Sequence, residues 1–183
     1  MLIAILDADV LFPMLLRDTL LRAAAAGCFR LHWSTEILDE VVGNLVRDYG
    51  MDAGKASALR DLMEDAYPDA NVEGWQGLEA AMRNHPKDRH VVAAAVAAGA
   101  DVIVTSNVRD FQILPPGIVA VRPDEFLLKL IDTCPAELRT ALVQQAAGYS
   151  RPAMTVGDLF EALRNVAPQF VAKALAYFAG QTR

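Results

Sequence analysis

Leu2-Ile3-Ala4-Ile5-Leu6-Asp7-Ala8-Asp9 is the stretch on which the fold turns. Five apolar residues run without alternation and stop at an acidic turn, the pattern of a strand covered on both faces in a parallel sheet. The spacing outward from it predicts the neighbouring elements. Residues 15–26 form a helix ended by Gly27, residues 29–33 a second strand, and Ser34 caps a helix running to Asp48 and stopping before Gly50. Residues 53–66 and 75–83 read as helices, with Pro68 and Gly74 as breakers around a short strand at 70–72. Pro86 opens a helix that Gly99 ends. Residues 101–105 and 118–121 are further strands, separated by the turn Pro115-Pro116-Gly117. Strands alternating with helices over residues 1–122 predict an α/β layer sandwich with a mostly parallel sheet and residues 2–6 at its centre.

Beyond residue 122 the pattern becomes all helical, with starts at Pro123, Pro135, Thr155 with Asp158 as a capping box, and Pro168. The expected organisation is one domain over 1–122 and a helical C-terminal appendage over 123–183. In the appendage, Leu159, Phe160, Leu163, Phe170, Val171, Leu175 and Phe178 supply apolar faces for docking. At 54% hydrophobic and 22% charged, the 183 residues carry enough apolar material for a core, which excludes disorder as the main state. Seventeen Lys+Arg against 23 Asp+Glu leave a net charge of -6, so no electrostatic tether to nucleic acid is written into the bulk composition. Cys28 and Cys134 lie outside any C-x-x-C pattern, which argues against a cysteine zinc site and for a reducing cytosol. The apolar opening lacks a basic flank, and residues 91–100 are too short to cross about 30 Å of hydrocarbon, so a cytoplasmic protein without membrane contact is expected.

Parallel sheets bind ligands beyond the carboxyl ends of their strands. Asp7 and Asp9 follow the first strand, and Asn107 and Asp110 follow the strand ending at Thr105. Glu40 lies in the helix after the second strand, and Asp88 in the first turn of the helix leading to residue 101. Carboxylates without histidine or thiolate partners suit a hard cation such as Mg²⁺ or Mn²⁺.

Leu6-Asp7-Ala8-Asp9-Val10-Leu11, the stretch from Ser34 to Glu40, Asp88-Arg89-His90-Val91-Val92-Ala93-Ala94-Ala95 and Val104-Thr105-Ser106-Asn107-Val108-Arg109-Asp110-Phe111 together resemble, in order, the four motif regions of PIN-domain ribonucleases. The resemblance runs from residue 2 to about 122 and implies a three-layer α/β/α sandwich. It implies an endoribonuclease in which Asp7, Glu40, Asp88 and Asp110 hold one or two Mg²⁺ or Mn²⁺ ions and leave 5′-phosphate and 3′-hydroxyl ends. Many bacterial members are VapC-like toxins. The implied partners are therefore an RNA substrate and a small antitoxin that sets an arginine among the acids, in a homodimer or a toxin–antitoxin hetero-oligomer. The last motif departs from the family pattern: Asn107 stands where aspartate is common, so either Asn107 or Asp110 completes the metal site. Asp9 is an added charge where the family is usually neutral.

Read without the family, Asp7 is a strand-end turn residue and Asp88 a favourable charge at a helix start. Glu40 falls with Glu36, Asn44 and Arg47 on the solvated side of its helix, opposite Ile37, Leu38, Val41, Val42 and Leu45. Asp9, Thr105 and Ser106 are expected around the site, and Arg17, Arg89 and Arg109 as phosphate contacts. His32, His85 and His90 read as ordinary surface or boundary residues, lacking ligand spacing. Two rival functions fit parts of the pattern. Asp7-Ala8-Asp9 also resembles the opening of haloacid-dehalogenase-type phosphatases, and a catalytically weak PIN-fold binding module would use the fold and the tail alone.

Overall fold

The computed structural model describes residues 1–179. Strands β1 (Ile3–Leu6), β2 (Arg30–His32), β3 (Val102–Val104) and β4 (Val119–Val121) form one sheet in the order β2-β1-β3-β4. Every pairing is parallel, with Ile5 opposite both His32 and Ile103. The sheet is thus wholly parallel, and with its flanking helices it is the three-layer α/β/α fold expected. Ala4, Ile5, Leu6, Ile103 and Val104 are fully buried, which is why the opening run lacks alternation. Each fully buried Leu or Ile contributes about 1.5–3 kcal/mol of transfer free energy. The chain leaves β1 toward β2 on one side and later returns to β3 on the other, so the carboxyl ends of β1 and β3 flank the topological switch point.

By their internal contacts the residues fall into two compact units, Met1–Phe12 with Arg30–Val121, and Pro13–Phe29 with Arg122–Arg183. The first holds the sheet and helices α1 (Ala8–Leu11), α3 (Thr35–Tyr49), α4 (Ala53–Ala66) and α5 (Arg89–Ala97). Ser34 caps α3 by accepting from Ile37 N–H, and Gly50 ends it at φ 61°, a left-handed conformation that favours glycine. Three local readings are corrected. Pro86 opens a 3-10 turn, Pro86–Asp88, and α5 starts only at Arg89. Residues 76–81 are 3-10 rather than α-helical. The short strand near residue 71 is a single bridge to Trp33.

The second unit contains α2 (Met14–Ala25), α6 (Pro123–Thr133), α7 (Pro135–Gly148), α8 (Val156–Leu163) and α9 (Pro168–Ala179). The tail helices therefore do not form a unit alone; α2, which the sequence placed with the first domain, packs against α7. Buried Gln145 fixes that contact, donating to Leu15 O at 3.0 Å and accepting from Thr19 Oγ1 at 2.9 Å. Asp124 of α6 accepts from Phe170 N–H at 2.8 Å and from Gln169 N–H at 3.4 Å, satisfying the open amino end of α9. Phe170, Val171 and Ala174 are buried in α9, whereas Leu175, expected inside, is 41% exposed. Residues 180–183 of the expected appendage lie outside the described residues.

Candidate functional site

The site grows from the end of β1. Asp7 donates its backbone N–H to Val104 O at 3.1 Å, joining the ends of β1 and β3, and its carboxylate caps α1 by accepting from Ala8 N–H at 2.7 Å. It is 9% exposed. Burial first, and then the neighbouring charge of Asp9, push it up to about 7, against bonds from Thr105 and Ala8 that pull the other way. A carboxyl poised in that range needs a cation or a proton beside it.

Asp9 is a brace rather than a free anion at the mouth. Both its oxygens accept from Ser106 N–H, at 3.0 and 2.9 Å, and Oδ2 also accepts from buried Thr105 Oγ1 at 3.2 Å. Thr105 Oγ1 in turn accepts from Asn107 N–H at 3.1 Å. The added charge thus holds the loop after β3 to the loop after β1, while burial keeps its carboxyl raised.

Asp88 stands at the amino end of α5 and makes no capping bond, so its carboxylate is not consumed by the helix. Its Oδ2 is buried without a hydrogen-bond partner, and burial raises its affinity for a proton, with Asp110 and Glu40 adding to the effect and Lys87 opposing it. Asp110 Oδ2 accepts from the Asn107 side-chain amide and lies 3.5 Å from Lys87 Nζ. Asn107 and Asp110 thus act as one hydrogen-bonded pair.

Glu40 enters the site through a residue the sequence reading passed over. His90, 2% exposed, sets Nε2 3.2 Å from Glu40 Oε1. The contact is an ion pair without hydrogen-bond alignment, leaving both ring nitrogens short of an aligned partner. Burial lowers the imidazole's proton affinity, but Glu40, with Glu36 and Asp7, holds it above the ordinary value. Reading His90 as a surface or boundary residue is corrected. The missed signal is that residues 90–95 are buried without a break, so a histidine at the head of such a helix must face a partner. Glu40 itself is 43% exposed, facing an acidic groove of about 500 Å³ lined by Thr35, Glu36, Asp39, Trp75 and Gln76.

The arginines separate. Arg17 is only 7% exposed and sits in α2, so burial removes it as a phosphate contact. Arg89 is half-buried and spends Nε on Asn84 O at 3.0 Å. Arg109 is exposed in the turn Val108–Phe111.

Among the described residues, no three His, Cys, Asp or Glu side chains gather closely enough to enclose an ion. The fit to a hard divalent cation rests on donor chemistry: oxygen-only acids at the switch point, Asp7 short of positive charge and an open buried oxygen on Asp88. No described helix is long and apolar enough to cross a membrane.

An all-parallel sheet with acids at the switch point between β1 and β3 defines the class. The PIN domain family matches residues 4–109, and the chain belongs to it. The VapC50 C-terminal domain matches residues 123–176. A curated relative from Mycobacterium tuberculosis, "Putative ribonuclease VapC50", is 42% identical over 108 residues, which make up 57% of this chain and 64% of that protein. The match therefore spans less than two thirds of the relative's length. No solved structure matches.

Proposed function

We propose that the chain is a metal-dependent RNA endonuclease and the toxin of a toxin–antitoxin pair, acting in the cytoplasm. The observation that carries this reading is the buried Asp7 at the β1–β3 switch point, with its carboxyl raised to about 7 beside Asp9 and the open Oδ2 of Asp88. Asp7, Glu40, Asp88 and Asp110 would hold one or two Mg²⁺ or Mn²⁺ ions, with Asn107 as a neutral oxygen donor. When bound, the ions supply an activated water and offset the charge that develops on the scissile phosphate. The protein's part is placement. Asp9 and Thr105 fix the loop after β3 against the start of α1, and His90 turns Glu40 inward. Arg109 offers an exposed cation to the phosphate backbone.

The phosphatase alternative loses its acid/base. Both oxygens of Asp9 accept from Ser106 N–H, so they are spent on holding a loop.

The direct test incubates purified protein with single-stranded RNA and Mn²⁺ or Mg²⁺. Cleavage leaving 5′-phosphates, abolished by EDTA and by Asp7→Asn in a folded protein, is the expected result. Cleavage surviving both would sink the mechanism. For the toxin assignment, induced expression should arrest growth in the wild type but not in Asp7→Asn, and a small neighbouring gene product should relieve the arrest.

A further inference from the structure

The overall charge of -6 poses a question for an enzyme proposed to bind a polyanion. The two sides of the site differ. On the α3 side the groove beside Glu40 is lined with Glu36 and Asp39, which repel phosphate. A second groove, of about 250 Å³, is built differently: Met82, Ile113, Leu114 and Pro115 give it apolar walls, and Arg83 and Asn84 are its polar lining. It is continuous with the acids. Asn84 Nδ2 donates to Asp110 O at 2.9 Å, and Arg89 Nε, one residue beyond Asp88, donates to Asn84 O at 3.0 Å.

We infer that this second groove is a nucleotide subsite, in which one base of a single-stranded RNA lies against Met82, Ile113 and Pro115 while Arg83 and Arg109 meet the flanking phosphates. The inference rests on the ribonuclease reading and adds to it the path of the strand.

Three observations converge on this occupant. Ile113 is 58% exposed beside half-buried Met82, Leu114 and Pro115, a flat apolar platform of the kind on which a base stacks whatever its identity. Arg83 and Arg109 are exposed and have no carboxylate partner among the described residues, so neither is neutralised in place. Asn84 is 6% exposed, its amide nitrogen is committed to Asp110 O, and its Oδ1 has no partner, an acceptor that the N–H edge of a nucleobase can satisfy. An apolar peptide would use the platform but not the two cations, so charge favours the RNA.

The test uses full-length protein with Asp7→Asn as the uncleaving parent and a fluorescein-labelled single-stranded RNA oligonucleotide in Mg²⁺, read by anisotropy. Met82→Ala and Ile113→Ala should each weaken binding about fivefold or more, the scale of a lost base stack. Arg83→Ala should lower the slope of log K against log salt by about 0.7, one phosphate contact on a single strand. Lys55→Ala, exposed on α4, should match the parent. In the cleaving background the groove variants should raise KM and leave kcat unchanged. Parental affinity and KM in all three variants, with wild-type cleavage intact, would overturn the subsite and leave the ribonuclease reading standing. Weakening in Arg83→Ala alone would reduce the site to a phosphate contact and refute the base pocket. Failure of the wild type to bind or cleave RNA at all would remove the ribonuclease reading and the subsite with it.

Discussion

Replacing Asp7 by Asn in the metal-free protein should stabilise it at neutral pH and leave it nearly unchanged in acid. The carboxyl's ordinary value is 3.8, and burial with the charge of Asp9 raises it to about 7 in the fold. A carboxyl raised on folding contributes stability that is fully present below the unfolded value and lost as pH rises through the folded one. Between about pH 4 and pH 7 the unfolded chain ionises freely while the folded chain resists. The difference of about 3.2 units, at 1.36 kcal/mol each, sets a ceiling of about 4 kcal/mol by pH 8. Asparagine keeps an oxygen to accept from Ala8 N–H and carries no charge, so it removes the penalty at nearly constant volume. Urea unfolding in EDTA at about pH 4 and pH 8 measures the effect directly. The wild type should lose stability between the two, Asp7→Asn should lose less, and the curves should converge at the acid end. Adding Mn²⁺ at the higher pH should recover much of the difference for the wild type alone. An Asp7→Asn protein less stable than wild type by the same margin at both pH values would refute the argument, because the carboxylate would then be a stabilising partner.

Other changes probe the supports. His90→Leu should weaken Mn²⁺ binding about tenfold, as loss of a ligand's support typically does, measured by electron paramagnetic resonance without RNA; in a Glu40→Gln background the same change should have no further effect. Asp9→Ala leaves Ser106 N–H and Thr105 Oγ1 without their acceptor and should cost about 1–3 kcal/mol in unfolding experiments, whereas Asp9→Asn retains one oxygen and should keep most of the stability. Asp124→Ala should cost about 1–2 kcal/mol and raise amide exchange at Gln169 and Phe170, the donors it satisfies; unchanged exchange there would show that the cap is idle.

The elements that were legible in the sequence are those whose signals are local. The opening apolar run gave its buried strand, Ser34 and Gly50 bounded α3, and Pro123, Pro135, Thr155 and Pro168 marked the tail helices where they occur. Asp7 could be placed because a strand end needs only its neighbours to be seen. Glu40 could not, since helical periodicity tells which side of α3 faces the core but not that His90 waits on another helix. The brace role of Asp9 depends likewise on Ser106, and the membership of α2 on Gln145, pairings between segments far apart in sequence. In α9 the choice between Ala174 and Leu175 was settled by packing geometry, which put the smaller residue inside.

The bond between Asp9 and Ser106 spans 97 residues, as long as the distance from the first acid to the loop that completes its surroundings. Local pieces fold early and long-range pairings late, because chain closure must precede their reward. A polypeptide emerging from the ribosome would carry Asp7 and Glu40 long before β3 exists to receive them. For a protein whose activity threatens the RNA around it, including its own message, this order of synthesis keeps every nascent intermediate harmless until the sheet is nearly complete.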